Sequence, residues 1–420
     1  MFSRERLSRV SLEDHPNSSR EREKSVIYSP FIHLHAYQPP RKLIVEGRII
    51  FDISGENIYQ GGFNQKVWNE SYQPVLNAGI LDTPFTGFNF FGSIRDWIKD
   101  KDPGSWLKIR KIATDRKNAV LADPYLHPIL PLLPDRDKRL LVRIGIEAFK
   151  QDYGFVPLGF WLPEMAVDKS TLNILAEEGV RFVILRRDQV LTDTNTSVCK
   201  VKTRSGDILV YLSDLDLSGT LAFGDISNAD AFADELVSNL NRRGSLFMAV
   251  DFETFGHHRG WGSVEFLRYL VSNSLPSRGV RGNFDNTAGY ASVVDYSSWS
   301  CPHSLGRWTG RCNCDGANAS TMELKQKLYE CLITNLEETN RRLDSKTESD
   351  IWQRDFVSWF LSQRQRISNG KSVVLEGKYK EDFKKKLIAL VGLTSCGWFF
   401  GNSDSIERKI PIETLSFLNR

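Results

Sequence analysis

Two apolar runs, each ending in a carboxylate, constrain this chain more than any other feature. Gly159-Phe160-Trp161-Leu162-Pro163 leads into Glu164, and Leu246-Phe247-Met248-Ala249-Val250 leads into Asp251-Phe252-Glu253-Thr254-Phe255-Gly256-His257-His258. Short continuous apolar runs suit strands covered on both faces, as in a parallel sheet flanked by helices. Acids at the C-terminal ends of such strands stand where a β/α barrel presents its chemistry. The plainer reading is that chains leave the core at strand ends and polar residues follow. Two acids converging from separate strands are also the minimum equipment for glycosidic bond chemistry.

The sequence between and around these runs supports the barrel. Leu140, Leu141, Ile144 and Phe149 follow helical spacing, and Asp168 is placed to cap a helix carrying Leu172, Leu175 and Ala176, with Gly179 as its stop. Arg181–Leu185 and Ile208–Leu212 read as strands, and Phe232, Leu236 and Leu240 as a helix stripe ending at Gly244. The order is helix, strand, helix, strand, hairpin-like insertion, helix, strand, which predicts a parallel sheet with crossover helices. Upstream, Val26–Leu34 reads as a strand running on to His35, with His33 and His35 on one face, stopped by Pro39-Pro40. Downstream, Leu324, Leu328, Leu332 and Leu336 form an i+4 ladder. Trp352, Phe356, Trp359 and Phe360 form a second helical face, and Phe383, Leu387, Ile388 and Val391 a third. The expected organisation is a flexible tail over 1–25, a barrel over 26–315 with a Cys/His-rich segment at 298–315, and a helical region over 316–420.

Composition narrows the function classes. Lys and Arg total 55 against 52 acids, a net charge of +3, which leaves no basic footprint for nucleic acid. No apolar run approaches a membrane span, and the first residues lack the apolar core of a signal peptide. A cytoplasmic protein is expected, and six cysteines in 420 residues do not make a disulfide scaffold. The sequence leaves the oligomeric state open.

The ordered trio of His33-x-His35-x-x-Gln38-Pro39, Trp161-Leu162-Pro163-Glu164 and Asp251-x-Glu253-Thr254-Phe255-Gly256 resembles glycoside hydrolase family 57. That family contains α-amylases, 4-α-glucanotransferases and branching enzymes. The resemblance runs from about residue 31 to 315 and implies an α/β fold, an incomplete (β/α)7 barrel followed by a helical region. Ser298-Trp299-Ser300-Cys301-Pro302-His303, Cys312-Asn313-Cys314 and Thr394-Ser395-Cys396-Gly397-Trp398 resemble one subgroup of the family. Members of that subgroup usually run further, so this chain is expected to be short at its C-terminus.

The resemblance implies that Glu164 is the nucleophile and Asp251 the general acid/base of a retaining enzyme acting on α-glucans or related oligosaccharides. Such a pair is expected about 5–5.5 Å apart, with one carboxylate charged and the other protonated. His33, His35, Gln38, Trp161, Glu253, His257 and Trp308 are the candidate substrate contacts. For Trp161 that role requires the strand to break at Pro163. Glu253, spaced two from Asp251, is expected to share its face and to tune its pKa or bind a hydroxyl.

Cys301, His303, Cys312 and Cys314 are four soft ligands in a short span, a candidate Cys3His zinc site. The C-x-C spacing is tight for one tetrahedral ion, and free or redox-active thiols and plain packing stay open. The glycosidase reading itself requires no cofactor. Two rivals remain: a metal-dependent carbohydrate deacetylase ligated by His33, His35 and an aspartate, and a non-catalytic glycan-binding protein.

Overall fold

The computed structural model describes residues 31–193, 196–243, 245–280, 289–401 and 405–419. The tail over 1–25, the start of the first strand and Gly244 lie outside the described residues.

Seven parallel positions make the barrel. Ile32–Ala36 pairs with Met248–Asp251 on one side and Thr86–Phe90 on the other. Residues 120–122 continue the circuit by single bridges, Val120 to Phe88 and Ala122 to Phe160. Gly159–Phe160, Phe182–Arg186 and Gly206–Ser213 follow in parallel register. The last seam is not a ladder. Asp214 N–H donates to Phe247 O at 2.8 Å, and Ala249 N–H donates to Ser213 Oγ at 3.0 Å. This is the incomplete (β/α)7 barrel expected from the sequence. The hairpin-like insertion is Val198–Thr203, which pairs antiparallel with Gly206–Ser213 and carries Gly289–Val293 on its outer edge.

Local signals were reliable where they needed only near neighbours. Asp168 Oδ1 accepts from Thr171 N–H at 2.8 Å, capping helix Lys169–Glu177, and Gly179 adopts φ +87°, the left-handed conformation that ends it. Among the described residues the first strand runs Ile32–Ala36, takes in His33 and His35 as expected, and is buried along its whole length.

The C-terminal helices, Ala319–Asp344, Ser349–Ser368, Lys380–Gly392 and Lys409–Leu418, form a layer against the barrel. Leu328, Leu332 and Leu336 are buried as the ladder predicts, but Leu324 is exposed one turn from the helix start. This layer is also joined to the barrel by charge. Arg95, fully buried, donates to Asp123 at 2.5 Å and Asp152 at 2.8 Å, and Arg364 of Ser349–Ser368 reaches Asp152 at 2.5 Å and Asp96 at 3.2 Å. Burial alone would raise the Asp152 pKa, but Arg95, Arg364 and Lys99 outweigh it and hold the carboxyl well below the usual range.

Arg364→Ala is expected to destabilise the fold by about 3 kcal/mol, because it strips a cation from two buried aspartates that retain only Lys99 and Arg95. A lower urea midpoint with unchanged slope is the expected reading.

Candidate active site

Register places the first group of side chains. His35 lies between Asp251 and Asn89 on adjacent strands, so the three form one rung at the C-terminal end of the barrel. His33 lies one rung below, between Ala249 and Gly87. Asn89 Oδ1 lies 2.9 Å from His33 Nε2 and 3.2 Å from His35 Nδ1. Burial is the main cause that lowers both histidines to about 3, with the Asn89 bonds opposing it, so both rings are neutral at pH 7. The rings are stacked: His33 and His35 on Trp161 at 5.1 and 4.3 Å, His127 on His35 at 5.5 Å, and Tyr37 on His127 at 3.9 Å.

Glu164 is held differently. The strand stops at Phe160, and Pro163–Met165 makes a tight turn with Glu164 at φ +56° and Met165 at φ +48°. Two successive non-glycine residues in the left-handed region need outside support. A strap over 297–300 provides it. Val167 N–H donates to Ser297 O at 3.0 Å and Trp299 N–H to Glu164 O at 3.1 Å. Arg186 ties down the Trp299 carbonyl, and Gln189 bridges Met165 O and Ser297 Oγ at 2.8 and 3.2 Å.

The carboxylate receives three donors: Ser300 Oγ at 2.7 Å, Trp299 Nε1 at 3.2 Å, and Ser395 Oγ at 3.3 Å. The Ser395 hydroxyl proton is spent on Glu164, so His127 Nδ1, 2.6 Å from Ser395 Oγ, must donate to it. Desolvation is the largest influence and leaves the Glu164 pKa above the ordinary glutamate value. Ser300, Trp299, Arg307 and Ser395 pull against it.

Asp251 shares the desolvation but not the donors. One edge opens to solvent, and among the described residues no donor reaches its carboxylate. The protein wall that withdraws bulk water, then the charges of Glu253 and Glu164, hold its pKa well above the ordinary aspartate value. Glu253 is buried and accepts from Tyr72 Oη and from Gln38 Nε2 at 3.0 Å. His257 is half-buried, its Nδ1 2.6 Å from Glu70 Oε2.

Beside the strap, Cys301, His303, Cys312 and Cys314 bring their ligand atoms within 4.8 Å of one another. The three sulfurs are 3.6, 3.6 and 3.2 Å apart. A disulfide needs about 2.05 Å. Tetrahedral zinc–thiolate bonds of about 2.3 Å put sulfurs roughly 3.8 Å apart, close to the two longer distances and well beyond the Cys312–Cys314 one.

The model of glycosyl hydrolase family 57 matches residues 17–284. The chain belongs to that family. It is 24% identical over 122 residues to Alpha-amylase 1 of Dictyoglomus thermophilum, a stretch covering 29% of this chain and 18% of that protein. Its fold is similar to that of an exo-type maltose-forming amylase from Pyrococcus sp. ST04. The TM-score is 0.67 at 16% identity, over 94% of this chain and 79% of that one. A family 57 branching enzyme from Thermococcus kodakaraensis aligns with TM-score 0.59 at 12% identity, over 93% and 94% of the two chains.

Within this family 57 chain, Glu164, Asp251, His33, His35, Gln38 and Glu253 come together. Three expectations need correction. Trp161 is fully buried beneath His33, His35 and Trp299, with no face left for a sugar. Trp308 is likewise buried, under the helical layer. Glu253 reaches the site from a tight turn at Phe252–Thr254, not along a strand face, although its charge does act on Asp251. Sequence reasoning missed Tyr72, Asn89, His127 and the bond from Ser395. An open groove of about 660 Å³ near Asp225, Arg259 and Tyr269 is lined by none of these groups.

Asp251→Asn is expected to raise the melting temperature at pH 7. A carboxyl whose folded pKa is raised binds more protons folded than unfolded, so it loses stability as pH climbs above about 4. Melting curves should show the gain at neutral pH and its disappearance below pH 4.

Proposed function

We propose that this family 57 chain is a retaining enzyme of α-glucans, with Glu164 as nucleophile and Asp251 as general acid/base. The observation that supports this best is the contrast between the two carboxylates. Glu164 is braced by three hydrogen-bond donors that favour its charged form, as a nucleophile requires. The Asp251 pKa is raised by desolvation and then by two neighbouring acids, the direction that a general acid requires. His35 stands beside Asp251 as a neutral hydrogen-bonding group for sugar hydroxyls, and Gln38 and Glu253 brace one another behind it. His33, Trp161 and Trp308 act by positioning.

The α-glucan substrate is argued from relatives named for amylase and branching activity. The deacetylase reading is disfavoured because His33 and His35 converge on an amide oxygen, not on a shared carboxylate. We assign the Cys/His cluster to a structural zinc ion, supported by its sulfur spacing, and place the chain in a reducing, cytoplasmic setting where Cys199, Cys331 and Cys396 stay thiols. The helical region beyond 316 belongs to the working unit, since Ser395 comes from it.

Turnover of maltooligosaccharides and glycogen, with products resolved by chain length, tests the assignment. Glu164→Gln and Asp251→Asn should each lower kcat by about 10²–10⁴-fold or more. Shorter products alone mean transfer to water, and longer products mean transfer to sugar. Full activity in either variant would remove that residue from the chemistry.

A further inference from the structure

We propose that the metal ion held by Cys301, His303, Cys312 and Cys314 fixes the strap that positions Glu164, so that metal occupancy controls catalysis. This rests on the zinc and nucleophile assignments above. Trp299 and Ser300 immediately precede Cys301, and successive Cα atoms are only about 3.8 Å apart. Those two residues supply the Trp299 N–H to the Glu164 carbonyl and two of its three side-chain donors. A displacement of Cys301 is therefore transmitted to the nucleophile over one or two residues.

The far side of the cluster is anchored. Asp315 forms a fully buried ion pair with Lys325 of helix Ala319–Asp344. Gly310 lies so close to that helix that an added Cβ would meet Met322 O at 2.2 Å, and one on Gly306 would meet Cys312 Sγ at 3.1 Å. The cluster thus joins a rigid helical layer to the strap. Arg186, Gln189 and Val167 restrain the strap only as far as Trp299. Ser300, the closest donor to Glu164, lies between that restrained part and Cys301. Metal loss releases this contact, and with it the Trp299 N–H bond to Glu164 O one residue earlier. Ser300 is a positioning residue, and the metal acts through it.

The experiment uses the full chain. Elemental analysis should find one zinc ion per chain, and mild chelation should remove it. In the zinc-free protein, amide exchange at Trp299 should accelerate while the strand Ile32–Ala36 stays protected. On maltoheptaose, kcat should fall about 10- to 100-fold, the scale of a lost bond to a charged group, with KM little changed. Added zinc should restore both. Ser300→Ala, which leaves all four ligands in place, should lower kcat similarly and become insensitive to chelation, with Ser300→Thr partly rescued. Zinc that binds but leaves Trp299 exchange unchanged on removal overturns the inference and spares the zinc site. Absence of zinc overturns both. A wild type inactive on α-glucans overturns the glycosidase reading, and Trp299 exchange still decides the clamp. If the zinc-free protein unfolds, Ser300→Ala decides instead, and an unchanged kcat overturns the inference.

Discussion

Glu164 occupies a left-handed backbone that a side-chain-bearing residue rarely adopts, and Met165 repeats it. Each such residue costs of order 1–3 kcal/mol unless its surroundings enforce it. The carboxylate is also withdrawn from bulk water. Both costs fall on one turn, and much of the rest of the chain is arranged to meet them. The strap over 297–300 closes on the turn, and His127 orients Ser395 towards the same carboxylate. Ser395 N–H donates to His127 O at 2.7 Å, which fixes the serine beside that ring. A barrel strand that simply ended in glutamate would need none of this.

The fold was legible because its signals are local. An N-cap such as Asp168, a stop such as Gly179 and an apolar period need only residues within a turn or two. The two carboxylates were legible because they terminate buried runs. What failed was extrapolation past a strand end. Trp161 and Glu253 both lie just beyond, where period-two logic has nothing to act on, so one turned under the site and the other entered by a tight turn. The supporting residues had no local signal at all. Tyr72 meets a partner 181 positions away, Ser395 one 231 away, and His127 one 268 away. Cys301, Cys312 and Cys314 were visible as a group, but their spacing along the chain could not distinguish a metal site from free thiols. The sulfur–sulfur distances add that the three thiols stand close enough together to share one ion.

The neutral histidines follow from the same economy of water. His33 and His35 are buried too deeply to carry charge, so the site gains hydrogen-bonding groups without adding cations beside Asp251. A protonated His35 would favour the ionised form of Asp251, its neighbour in register. Asn89, which binds both rings through one oxygen, sets the positions of these groups without bringing a charge of its own.

In the retaining reading proposed above, the two carboxylates also set each other's timing. The proton on Asp251 is held partly by the negative charge on Glu164. When Glu164 bonds to the anomeric carbon that charge is lost, and one cause of the raised Asp251 pKa goes with it. Asp251 has by then given its proton to the leaving group, and the lower pKa keeps it ionised, ready to take a proton from the incoming acceptor in the second step. Burial raises the Glu253 pKa, and the bonds from Tyr72 and Gln38 oppose that rise, so those two bonds favour the charge on Glu253 that helps hold the Asp251 pKa up. The role reversal needs no moving part, because it is written into the order in which charge leaves and returns to Glu164.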